Sequence, residues 1–216
     1  MVPTTRKVEC ILAVVLFARM SCAHGVLAQE QPELQQLFRQ FQSEQTTKNA
    51  EIRLLQLAKD DPKARRFIAP RLPAMIAVDP RGTTDYYEKH QSLSTTWCNA
   101  VDLAGKLKIA EAAPALAKWV ALSTNPGLNF GAGEISHHPA AVALVQIGDA
   151  AIPDLTSALN TGDKDLRSSA ADTLLELHST KADAVLWKYS SDGHDRELAR
   201  YIERTLEIVD RNYPAP

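Results

Sequence analysis

Only three cysteines occur among 216 residues, and the net charge is only −2. Cys10 and Cys22 fall in an N-terminal segment that reads as removable, so Cys98 is left with no partner for an internal disulfide and stability must come from packing. The slight acidic balance gives no electrostatic footprint for nucleic acid or for an anionic membrane surface. No stretch alternates apolar and polar residues with the period of two that a half-buried strand requires, which points to an all-α chain. There is no His-Glu-x-x-His helix, and Gly131-Ala132-Gly133 follows no strand and lacks the third glycine of a phosphate cradle.

The apolar run at the start is too short to span a bilayer. Arg6 and Lys7 precede Ile11 to Ala18, and Arg19 then interrupts the run well before the roughly 20 residues a spanning helix needs. Small residues follow, ending in Val26-Leu27-Ala28. This is the pattern of a secretory signal peptide, residues 1–28, with cleavage expected after Ala28 and a second possible site at Ser21 to Ala23. It predicts an exported protein, periplasmic or secreted, with no stable membrane insertion after cleavage. Removing Arg6, Lys7 and Arg19 against Glu9 moves the net charge from −2 to −4.

What the chain has in quantity is helical periodicity. Leu34, Leu37, Phe38 and Phe41 recur at helical spacing and predict an N-terminal capping helix within residues 29–46. The tripeptide Pro-x-Leu then occurs three times, at Pro70-Arg71-Leu72, Pro114-Ala115-Leu116 and Pro153-Asp154-Leu155, each entering the second helix of a pair. The first pair runs from Ile52 to Ala58 and from Phe67 to Ile76, with Pro70 and Pro73 expected to bend or delay the second helix. The second places Leu103, Leu107, Leu116 and Val120 inward. In the third, Pro139 starts one helix, Gly148 ends it in a left-handed conformation, and Asp149 is expected to cap the next through its side chain. A fourth pair spans Asp165 to Leu177 and Ala182 to Tyr189. Leu198, Ile202, Leu206 and Val209 then line a C-terminal capping helix within residues 191–216.

The Ala-rich helix followed by Ile147-Gly148-Asp149-Ala150-Ala151-Ile152-Pro153-Asp154-Leu155 is similar to a HEAT repeat of the short, phycobilisome-lyase-like kind. The copies around Leu57 to Leu72 and Leu107 to Leu116 share the Pro-x-Leu and the leucine ladder but lack the Gly-Asp turn, and the copy around Leu177 has lost the proline too. The resemblance covers residues 47–190. It implies an α-solenoid of about four helical hairpins between two caps, working through protein contacts, with no lyase chemistry attached to the repeat itself.

Function is then sought in what departs from the repeat. Two connections, Asp79 to Thr95 and Ser123 to His138, are longer than a solenoid turn requires, and both join one hairpin to the next, which predicts a common edge. Tyr86, Tyr87, Asn129 and Phe130 on these loops are candidate anchors for a partner protein. The basic residues Arg65, Arg66 and Arg71 are a candidate contact for an acidic partner. Glu134, His137 and His138 carry a weak metal signal, because adjacent histidines ahead of Pro139 project in different directions. The expectation is an exported, non-catalytic scaffold or adaptor that binds a partner protein and calls for no cofactor. The alternative is a small-ligand or metal-dependent enzyme, tetrapyrrole-handling or hydrolytic, using residues 123–138. Cys98, beside Trp97 at a helix start, reads as core packing and not as a nucleophile.

Overall fold

A computed structural model describes residues 32–43, 45–81, 93–124, 135–193 and 195–212. Residues 1–31, which include the expected signal segment, and most of both long loops lie outside them. Among the described residues every regular element is helical.

The expected N-terminal cap is α1 (Pro32–Phe41), which buries Leu34, Phe38 and Phe41 at intervals of four and three. Phe38 meets Phe67 edge-on with ring centroids 5.9 Å apart, tying the cap to the first hairpin by aromatic packing. That hairpin comprises α2 (Thr47–Asp60) and α3 (Pro62–Ile68), prolonged through a 3-10 turn (Ala69–Arg71) by α4 (Leu72–Ile76). Its second limb starts earlier than the sequence suggests. Asp61 leaves α2 with extended backbone, its carboxylate accepts the Lys63 N–H at 2.8 Å, and Pro62 begins α3 at the one place where a missing donor costs nothing. The bend expected from the prolines appears at Pro70, inside the 3-10 turn.

The expected second hairpin has α5 (Thr95–Lys106), capped by Ser94 on the Trp97 N–H, and the short α6 (Ala113–Ala117). The third has α7 (Pro139–Ile147) and α8 (Ile152–Thr161). Gly148 between them has φ +83° and ψ −148°, a region open essentially to glycine alone. The turn then closes as a 3-10 turn (Gly148–Ala151), in which the Ile152 N–H bonds the Asp149 carbonyl. With the backbone satisfied in this way, Asp149 does not cap α8. Its carboxylate instead accepts from Ser179 Oγ at 2.7 Å and pairs with Lys181 Nζ at 3.0 Å, linking the third hairpin to the fourth. The fourth is α9 (Lys164–Glu176), capped by Asp163 on the Leu166 N–H, with α10 (Thr180–Asp192). The C-terminal helix α11 (Arg196–Asn212) follows, with Leu198, Ile202 and Leu206 buried.

The helices pack in two rows. Along one, α2 meets α5, α5 meets α7, α7 meets α9 and α9 meets α11; along the other, α4 meets α6, α6 meets α8 and α8 meets α10. A single apolar cluster runs from Leu34 to Leu206, and Leu103, Leu107, Leu116 and Val120 are all within it as expected. Among the described residues the run Pro139–Thr161 is long and apolar enough to cross a membrane. Gly148 divides that run, and its Ala140, Leu144, Leu155 and Leu159 are buried in the common core.

Candidate functional site

The two long connections leave the helices at narrow feet. At the first, the Ser94 N–H donates to the Pro80 carbonyl at 2.8 Å, and the Trp97 indole N–H donates to Ile76 at 3.0 Å, so the chain returns to within one hydrogen bond of where it left. Arg81 folds back on Asp79 through two bonds, at 2.9 and 2.6 Å, and this contact holds the Asp79 carboxyl below the usual carboxylate range. At the second foot, Thr124 donates both its N–H, at 2.8 Å, and its hydroxyl, at 3.1 Å, to the His137 carbonyl. The feet are neighbours: the Arg81 guanidinium lies 5.9 Å from the Trp119 ring centroid, within range of a cation–π contact.

Of the loop residues singled out from sequence, Tyr86, Tyr87, Asn129, Phe130 and Glu134 lie outside the described residues. His137 is half-buried. His138 is only 3% exposed and faces the Ala121 and Leu122 backbone at the end of the second hairpin. Burial pushes its imidazole down to about 4, with His137 adding to the shift and the two backbone contacts opposing it. It is therefore neutral at physiological pH and serves as a plug between hairpins. Among the described residues no three His, Cys, Asp or Glu side chains converge in a metal-holding group.

The three arginines separate by role. Arg71 stacks over Phe67 at 3.6 Å from the ring centroid and donates to the Phe67 carbonyl, and Arg65 reaches across to the Leu107 carbonyl in the next hairpin. Both contacts strengthen the helix packing; Arg65 and Arg66 are exposed and Arg71 is half-buried. Cys98 is half-buried against the core, and burial pushes its thiol up, away from the thiolate a nucleophile needs.

Two arrangements carry no signature in the sequence. One is the Arg81–Trp119 contact, since nothing in either local pattern specifies the other. The second is a set of adjoining clefts on the C-terminal helices: about 230 Å³ between α9 and the start of α11, about 250 Å³ lined by Asn160 of α8, Arg167 of α9 and Tyr189 of α10, and about 290 Å³ along α11. Their walls include Arg167, Asp172, Tyr189, Asp195 and Tyr201, residues that read simply as helix faces and turns. No family model matches the chain, and no match to it is found among curated proteins or solved structures.

Proposed function

We propose that the protein is an exported, non-catalytic scaffold, an α-solenoid of HEAT-like hairpins released from its signal peptide, and that it grips a partner protein along the edge carrying the two long connections. The observation that carries this reading is the pairing of the feet. Each connection is closed at its base by backbone hydrogen bonds, and Arg81 and Trp119 bring the two bases side by side. Closed necks on a common core fix the points from which the two connections leave it, which lowers the ordering cost of binding through both at once. The two-row helix packing supports the repeat reading, because successive helix pairs bury their apolar faces against one another. A hydrolytic or tetrapyrrole site in residues 123–138 has less behind it, since His138 at its foot is turned into the core.

Affinity capture from a cell-envelope extract with chemical cross-linking tests the proposal. The wild-type chain should recover one partner reproducibly. The triple variant Tyr86→Ala, Tyr87→Ala, Phe130→Ala should lose most of it while keeping an unchanged melting temperature. Equal recovery by both chains would refute the loop edge as the binding surface.

A further inference from the structure

The far end of the molecule holds a different kind of site. Asp172 on α9 is 6% exposed, and its Oδ1 accepts the Tyr201 hydroxyl of α11 at 2.6 Å. That bond occupies one carboxyl oxygen only. Among the described residues no Lys, Arg or His pairs with Asp172, whereas Glu51, the other fully buried carboxylate, has Lys48 and Lys106, and the half-buried Asp195 has Arg167. A buried acid with a neutral partner and no counter-charge is costly, and burial accordingly raises its pKa.

The residue lines a cleft of about 230 Å³ whose other walls are Lys164, Ser168, Asp195, Glu197, Leu198 and Tyr201. This volume is below the roughly 300–1,000 Å³ of sites for drug-sized ligands and cofactors, and suits a single side chain or a short aliphatic ligand. Leu198 and the Tyr201 ring offer an apolar wall for an alkyl stem, and Ser168 adds a hydroxyl acceptor. At the rim the chain's own ammonium, Lys164 Nζ, sits 3.3 Å from Glu197, with both side chains more than two-thirds exposed (71% and 83%). Such a pair is weak and readily exchanged.

The geometry points to a binding site for a primary ammonium group, its charge meeting Asp172 at depth and its stem lying along Leu198 and Tyr201, with Lys164 as the intramolecular competitor at the mouth. The ammonium can be that of a free aliphatic polyamine or of a lysine side chain on another protein. The site is remote in sequence from the two loop feet and stands independently of what those loops bind.

Calorimetric titration of the full mature chain with spermidine, and separately with N-acetyl-lysine methylamide, tests this. Both should bind, and Asp172→Asn, which keeps the shape and an acceptor for Tyr201, should weaken each about tenfold or more. Lys164→Gln should bind a few-fold more tightly. Preference for spermidine assigns the site to free polyamine, and preference for the lysine derivative assigns it to a protein side chain. Binding unchanged in Asp172→Asn, or no heat from wild type at about 10 mM of either amine, would overturn the proposal.

Discussion

The seam between α2 and α5 and the seam between α5 and α7 join successive hairpins of one core by opposite means. The first is polar. Glu51, 1% exposed, takes Lys48 at 2.8 Å and Lys106 at 3.3 Å, Lys106 also holds Asp102 at 2.6 Å, and Asn99 bonds Thr47 at 3.3 Å. The second is dry and close: a Cβ added to Gly105 would lie 2.9 Å from Ala143 Cα and 2.4 Å from Gln146 Oε1. Helices that approach so nearly are held by shape, and any larger side chain forces them apart. Helices joined by a buried carboxylate are held by partners whose far ends remain half in water. Shape fixes spacing, and the charged network fixes register.

The contrast can be broken most strongly at Gly105. Gly105→Val should cost about 3 kcal/mol, because Ala143 Cα is backbone and cannot swing aside as Gln146 can; urea unfolding measures it. A loss below about 1 kcal/mol would mean that the seam is looser than its geometry.

Acid attacks the same side of the molecule. His138, at the start of α7, has its pKa lowered to about 4 by burial, so below about 6.5 the unfolded chain takes up a proton that the folded chain refuses. Stability present at neutral pH should therefore fall by roughly 2 kcal/mol as pH drops from about 6.5 to about 4. His138→Asn should flatten that part of the profile of melting temperature against pH. An unchanged slope would remove His138 as its source.

The polar seam should respond less, because its lysines can retreat to solvent. Glu51→Ala is expected to cost about 1.5 kcal/mol, whereas Glu51→Met, which fills the space without the charge, should lie within about 1 kcal/mol of wild type. If Glu51→Met proves as damaging as Glu51→Ala, the carboxylate itself supports the fold and not only the volume it fills. The smallest effect belongs to the loop feet. Arg81→Ala should cost about 0.5 kcal/mol, since the guanidinium is half exposed, yet it should reduce partner capture measurably by loosening the first foot from Trp119.

Helix positions were legible because they follow from local rules. Pro139 starts α7, Gly148 ends it, and the leucines at three- and four-residue spacing do become the core. Asp149 shows where local rules stop. Its place after a helix-ending glycine suggests a cap, but the turn satisfies its own backbone, and the carboxylate pairs with Ser179 and Lys181 thirty residues on. Arg65 and Arg71 meet the same limit of local reading. Three arginines within seven positions read as a surface patch, while two of them bond carbonyls, one on its own limb and one in the next hairpin. Asp172 with Tyr201, and Arg81 with Trp119, are pairings between helices or loops whose spacing in sequence carries no period, so no pattern search along the chain would join them.

Site-specific photo-cross-linking compares the two faces of the molecule most directly. A benzophenone amino acid is placed at Asn129, on the loop edge, or at Trp187, exposed on α10. The account predicts a partner adduct from position 129 and none from position 187 in the same envelope extract. Adducts from 187 alone, or equally from both, would contradict the assignment of recognition to the paired loops.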